Sequence, residues 1–217
     1  FENGNKIIDN LIKSNKIKKK IVRVNTNLKK NFLSKIYNIN FKNINNVKNL
    51  AFALAISEYL NINKKNILRA IEKFEQLNFR QQIIFNKKNI VIINDSKSTS
   101  FSSSENLLKS FKNIYWIVGG LPKKGDYFSL NKKYFSNIQS YIYGENKDFF
   151  ANQFKKKIKF NFFPSISEIL KYIKKQNKFL EEKYTIIFSP ASASYDQFKN
   201  FEHRGRYFNK LIKKHYT

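Results

Sequence analysis

The chain has no cysteine, which excludes disulfides and thiolate metal sites. It has two histidines, His203 and His215, too few for a histidine-based metal centre without carboxylate help. Both are expected as polar residues on the last helix and its end. No methionine occurs and position 1 is Phe, so the chain reads as a piece of a longer product. No apolar run approaches the roughly 20 residues of a membrane span. The opening "FENGNKIIDN" lacks the basic start and apolar middle of a signal peptide. These absences point to a soluble, cytoplasmic protein that holds no metal of its own.

Arginine is scarce as well. The net charge is +27, yet only five of the 42 basic residues are Arg: Arg23, Arg69, Arg80, Arg204 and Arg206. A charge of this size invites a nucleic-acid reading. Arg, however, is the residue for bidentate phosphate and base contacts, and Lys rises here alongside Asn, Ile, Phe and Tyr, all of AT-rich codons. The basicity is therefore read as a solvated Lys surface with no nucleic-acid partner. A basic nucleic-acid-binding α/β domain stands as an alternative, recognisable by strong, steeply salt-dependent binding to random DNA.

What is present is a sizeable core. The 217 residues are 41% hydrophobic, enough for one large domain or two smaller pieces. Residues 1–46 read as a helix, a short strand in "KIVRV" and loops. "VKNLAFALAISEYL" (47–60) is a small-residue helix, apolar nearly all round, and is expected to be buried. Asn63 caps a helix over 63–76 with Ile67, Leu68, Ile71 and Phe74 on one face. "LNFR" (77–80) breaks the pattern and marks a boundary between segments 1–80 and 81–217.

Beyond it, "QQIIF" and "NIVIIND" around "NKK" predict a hairpin. Strands follow at 114–120, 140–144, 158–163 and 184–190. Ser102 with Glu105, and Ser165 with Glu168, are the spacings of capping boxes for the helices between them. A last helix over about 195–215 carries Phe198, Phe201, Phe208, Leu211 and Ile212 near one face. Alternating strand and helix predicts an α/β, Rossmann-like, mainly parallel sheet with helices on both faces, preceded by a mainly helical segment.

In such sheets ligands bind beyond the carboxyl ends of the strands. Three ends are unusual: "NDSKSTS" after "IVII", "GGLPKKGD" after "IYWIV" and "SPASASYDQF" after "YTIIF". Each alone is explained by a surface ion pair, a turn or a cap. Together they gather ammonium groups, hydroxyls, amides near a helix start and one carboxylate, an inventory suited to carboxylate or phosphate ligands.

These residues resemble the C-terminal domain motifs of the Mur ligases, in the form of the D-glutamate-adding MurD family. "NDSKSTS", "GGLPKKGDYF" and "SPASASYDQFKNFEHRGRYF" look like that family's motifs. "NNVKNLAFALAIS" and "LNFR" are similar to the helix and the "LPHR" segment that end its central ATP-binding domain. The resemblance runs from Asn46 to Thr217. The chain departs from it with Asn45 and Phe79 in place of His, Ser192 in place of Cys, and two candidates, Lys123 and Lys124, for one lysine. A sister Mur-type ligase for another amino acid is the second alternative.

The resemblance implies that residues 1–80 are the end of the central ATP-binding domain and 81–217 the amino-acid-binding domain. It implies an ATP-dependent amide ligase in peptidoglycan precursor synthesis. ATP phosphorylates UDP-N-acetylmuramoyl-L-alanine, and the amine of D-glutamate attacks the acyl phosphate. Asn49, Arg80, Asp95 and Lys97 would then meet ATP. Thr99, Lys123, Ser194, Tyr195 and Phe201 would hold D-glutamate. The phosphate loop and the Mg2+ ligands would lie upstream, and the enzyme would be a monomer.

The 217 residues contain no GxxxxGK[ST] loop, and phosphoryl transfer depends on such a cradle with its metal. The chain on its own is therefore expected to make no amide from ATP. ATP-dependent amide formation by the purified chain would overturn this.

Overall fold

A computed structural model describes residues 1–15, 21–87, 89–177 and 182–216. The chain divides into two compact units, Phe1–Glu75 and Gln76–Thr217.

The first unit is mainly helical. Helix α1 (Lys6–Ser14) is capped by the Asn5 side chain. The "KIVRV" segment supplies an isolated parallel bridge between Glu2 and Val24 rather than a strand, and its Lys20 lies outside the described residues. A short α2 (Lys30–Leu33) and a 3-10 turn precede α3 (Ile44–Tyr59) and α4 (Lys64–Glu72). Asn63 caps α4 as its sequence position predicts, its side chain accepting from the Lys65 amide. At the other end of α4, the Asn38 side-chain amide donates to the carbonyls of Ile71, Glu72 and Phe74.

The expectation of a buried α3 is corrected. Among its described side chains only Asn46, Leu50 and Ala51 are buried, while Ile56 and Tyr59 are 59% and 64% exposed. The first unit carries too little apolar mass to cover a helix that is apolar on every side.

The second unit is a six-stranded sheet in the order β1-β2-β6-β3-β4-β5. Its strands are β1 (Gln82–Lys87), β2 (Ile90–Asn94), β3 (Ile114–Gly119), β4 (Ile138–Tyr143), β5 (Lys159–Phe163) and β6 (Tyr184–Phe188). β1 and β2 form the antiparallel hairpin; Lys88 of its turn lies outside the described residues. The other neighbours are parallel. Strand alternation sorts the core onto two faces. Val91, Ile93, Trp116, Val118 and Ile187 pack with α5 (Phe101–Ser110) and α6 (Lys147–Phe154). Ile92, Ile117, Ile186 and Phe188 pack with α7 (Ile166–Gln176) and α8 (Phe201–Tyr216). Helices thus cover both faces, as the alternation predicts.

Two local expectations shift. Ser100 and Ser103, not Ser102 and Glu105, form the capping box of α5. Glu105 instead accepts from the Ser129 amide and hydroxyl at 2.9 and 2.7 Å. Ser165 does cap α7, but the Glu168 carboxylate takes the Lys171 ammonium at 2.8 Å. The last helix begins at Phe201 rather than near 195, because the Asn200 side chain accepts from the His203 amide at 2.7 Å and starts the helix there.

Gln76–Thr217 holds the whole sheet and both apolar clusters. Residues 76–217 alone are therefore expected to unfold in one cooperative transition. The buried Trp116 is the fluorescence probe, and a broad, non-cooperative curve would refute the boundary.

Candidate ligand-binding site at the strand tips

β2, β6 and β3 are consecutive and parallel, so the three chemically unusual tips emerge side by side. They then part. The chain after β2 and β3 turns onto the α5 face, and the chain after β6 turns onto the α8 face. A divergence of this kind opens a crevice at the carboxyl edge of a parallel sheet.

Backbone contacts tie the tips together. The Asp95 amide donates to the Phe188 carbonyl at 2.7 Å, and Leu121 and Ala193 exchange amides at 3.0 and 2.9 Å. The Ser192 hydroxyl donates to the Gly119 carbonyl at 2.6 Å. Gly119 (φ +150°) and Gly120 (φ +124°) are required by close approach. A Cβ on the first would lie 2.2 Å from the Tyr143 carbonyl oxygen, and on the second 2.4 Å from Ser192 Oγ.

Beneath the tips lies Arg204, fully buried. Its Nε donates to Ser96 Oγ at 3.1 Å. Its Nη2 donates to the carbonyls of Ser96 and Ser192 at 2.8 and 2.9 Å, and Nη1 to that of Ala193 at 3.2 Å. One guanidinium thus joins the β2 and β6 tips, and its Nη1 lies against Gly120 of the β3 tip. Burial pulls its pKa down, opposed by the nearby Tyr143, Asp196 and Asp95. Arg204 had no place among the expected site residues. Its signal was the adjoining Gly205, whose Cβ would lie 2.3 Å from the Phe79 ring. A glycine inside a helix costs about 1 kcal/mol and here admits that ring.

Asp95 is buried too. Its Oδ2 accepts from Ser189 Oγ at 2.7 Å and its Oδ1 from the Gln81 amide at 3.0 Å. Gln81 and Phe79 both have left-handed backbone, with φ of 53° and 61°, and the Lys97 amide holds the Phe79 carbonyl at 2.9 Å. Asp95 and Lys97 thereby clasp the segment that carries Arg80. Burial raises the Asp95 pKa from 3.8 to about 7, against the lowering by Ser189, Gln81, Arg204 and Arg80.

The other expected residues lie on the surface of this framework. The Lys97 ammonium sits 4.0 Å over the Phe201 ring. Thr99 is half-buried and Ser194 buried, and neither hydroxyl has a partner among the described residues. Tyr195 is exposed, as are Lys123, Lys124 and Arg80. The structure brings Lys97, Thr99, Ser194 and Phe201 to one edge, with Lys123 in the loop that leaves it. Asn49 is exposed on α3 of the first unit. Among the described residues no group of three His, Asp or Glu side chains could hold a metal, and no helix is long and apolar enough to cross a membrane.

No protein-family model matches the chain. Curated relatives do. A UDP-N-acetylmuramoylalanine–D-glutamate ligase of Rickettsia prowazekii is 36% identical over 185 residues, which cover 82% of this chain and 40% of that relative. Ligases of the same name from a Wolbachia of Brugia malayi and from Hydrogenobaculum are 32% and 34% identical over 78% and 81% of this chain, covering 34% and 42% of theirs. The chain thus spans about two fifths of the length of such relatives. Among solved structures, a UDP-N-acetylmuramate–alanine ligase of Thermotoga maritima aligns with TM-score 0.52 at 19% identity, over 78% of this chain and 38% of that one. A MurF ligase of the same organism, in complex with ADP, aligns with TM-score 0.51 at 14% identity over 77% and 38%. These likenesses establish the fold.

The raised Asp95 pKa has a sign for stability. Between pH 4 and 7 the folded chain keeps a proton on Asp95 that the unfolded chain releases. The resulting stability is full below about pH 4 and lost as pH rises through 7, by at most about 1.4 kcal/mol per pH unit. Asp95→Asn removes this dependence. Denaturant unfolding followed by Trp116 should show the variant gaining on the parent from pH 4.5 to 7.5; a constant difference would refute the assignment.

Proposed function

We propose, from the premise that this chain belongs to the UDP-N-acetylmuramoylalanine–D-glutamate ligase family, that its Gln76–Thr217 unit presents D-glutamate to an acyl phosphate made from ATP and UDP-N-acetylmuramoyl-L-alanine. The observation that carries the reading is the convergence of the three tips. Unpartnered hydroxyls and an ammonium stand there over a framework that hydrogen bonds tie from tip to tip. The fold is shared with ligases named for other amino acids, so it does not choose the substrate; the sequence relatives support D-glutamate.

Two carboxylates of D-glutamate are met without a metal by Lys123, Thr99 and Ser194, with Phe201 and Tyr195 forming the apolar side. Arg80 and Lys97 are the cations for the nucleotide phosphates. Both oxygens of Asp95 are engaged, so in this arrangement it serves ATP by holding the Arg80 segment. The phosphate loop and magnesium ligands are assigned to the part of the relatives that this chain does not match. Since an acyl phosphate hydrolyses readily, closure over the tips must exclude water during amide formation. The reaction is placed in the cytoplasm, where peptidoglycan precursors are assembled in this reading.

Calorimetric titration tests the reading: the chain should bind D-glutamate in preference to L-glutamate. A charge-assisted contact is worth about 1.5–3 kcal/mol, so Lys123→Ala should weaken binding by roughly 10- to 150-fold, and Lys124→Ala should change it little. Absence of D-glutamate binding would overturn the reading. Equal effects of the two substitutions would overturn the assignment of Lys123.

A further inference from the structure

Four serine hydroxyls lie in line behind Asp95. Ser189 Oγ donates to Asp95 Oδ2 at 2.7 Å. Ser104 Oγ is 2.7 Å from Ser189 Oγ, Ser98 Oγ 2.7 Å from Ser104 Oγ, and Ser103 Oγ 2.7 Å from Ser98 Oγ. Ser98, Ser104 and Ser189 are buried. Ser103 closes the capping box of α5 by accepting from the Ser100 amide at 3.2 Å, and its hydroxyl also donates to the Ser100 carbonyl at 2.7 Å. The line therefore runs from the carboxylate under the segment that carries Arg80 to the turn that carries Thr99.

Each hydroxyl has one proton, so the donor directions are interlocked. An ionised Asp95 only accepts. Ser189 must donate to it, which leaves Ser189 to accept from Ser104 and Ser104 to accept from Ser98. Ser98 then accepts from Ser103 and draws that proton away from the Ser100 carbonyl. A protonated Asp95 can donate to Ser189, and the order reverses. Ser98 then donates outward, and Ser103 is left to bond the Ser100 carbonyl. Three adjacent buried hydroxyls cost desolvation that alanines would not, and they are satisfied only as a cooperative set.

We propose that Ser98, Ser104 and Ser189 are positioning residues, a hydroxyl relay that transmits the hydrogen-bonding state of Asp95 to the Thr99–Ser100 turn. Insofar as Thr99 meets D-glutamate, the proposal rests on the functional reading above. The charged groups facing Asp95 are Arg204 from α8 and Arg80 from the segment before β1. The α5 end of the relay faces Asp126, which accepts the Phe101 amide at 2.9 Å. Glu105, in the next turn of the helix, is held by Ser129.

The test uses the 217-residue chain. The Asp95 carboxyl carbon and the Ser103 amide, which donates to Ser100 Oγ, are followed by NMR from pH 4 to 9. Both should titrate with one midpoint, in the parent and in Asp126→Asn alike. In Ser104→Ala and, independently, Ser98→Ala, Asp95 should still titrate while Ser103 no longer follows it; Asp95→Asn should abolish the response at both ends. A merely structural role would lower stability without uncoupling the two signals. The relay is overturned if Ser103 never follows Asp95, if it follows equally well in both alanine variants, or if Asp126→Asn removes the response. D-Glutamate affinity, measured in parallel, should change by roughly 2- to 10-fold between pH 6 and 8 in the parent, the scale of one neutral hydrogen bond, and stay flat in Ser104→Ala. Coupled NMR signals with no D-glutamate binding at any pH would support the relay and overturn the amino-acid reading.

Discussion

A guanidinium without water is the constraint from which the carboxyl edge of this sheet is built. Arg204 cannot shed its charge in a protein, and an unpaired buried cation would cost several kcal/mol. It is offset here by three carbonyls and a hydroxyl drawn from two different strand tips. Those carbonyls must point inward to satisfy it, which fixes the course of both tips. The third tip is fixed by exclusion: Gly120 must lack a side chain because Ser192 Oγ, the Ala193 carbonyl oxygen and Arg204 Nη1 fill the space where a Cβ would stand. Loops that would otherwise be free to sample many conformations are thereby given one.

The same residue sets the helix behind it. Arg204 lies in the first turn of α8, so its contacts decide where that helix meets the sheet. Gly205 then brings the helix backbone against the Phe79 ring, and its carbonyl accepts from the Asn94 side-chain amide at 2.9 Å. The segment around Phe79, β2 and α8 are thus locked in one place. Asp95 completes the lock from the opposite sign. Its carboxylate feels the field of Arg204 and Arg80, yet burial outweighs them, leaving a group balanced between charged and neutral near physiological pH. A carboxylate in that balance is informative because its neighbours are hydroxyls, which can donate or accept as it requires.

Much of this could be seen in the sequence for a simple reason. Runs such as "IYWIV" and "YTIIF" are buried on both faces, and continuous apolar strands broken by Gly, Pro and Ser announce a parallel sheet and its tips. The adjacency of three tips follows from parallel topology, not from any one residue. Arg204 was invisible because its role depends on carbonyls 108 and 12 residues away in sequence, and the adjoining Gly205 marks a close approach without saying what its neighbour binds. The capping box of α5 was misplaced because any of Ser100, Ser102, Ser103 and Ser104 can cap. The choice fell to the burial of Ser104 and to Glu105 being claimed by Ser129. The burial of α3 was overread because composition tells what a helix could bury, not what is there to cover it.

The expected site residues separate into two layers, and the separation explains why one short stretch carries so much chemistry. In residues 94–104, Asn94, Asp95, Ser96, Ser98 and Ser104 are buried and spend their hydrogen bonds on the protein itself. Lys97 and Thr99, which alternate with them, are the ones that reach outward. The segment leaves the strand in a tight turn, in which the Ser98 amide donates to the Asp95 carbonyl at 2.9 Å. Buried and outward-reaching side chains therefore share one turn. Substituting a buried member disturbs the outward ones beside it, and for this reason the polar crowding that looks excessive for a turn is needed for a turn that must hold one shape.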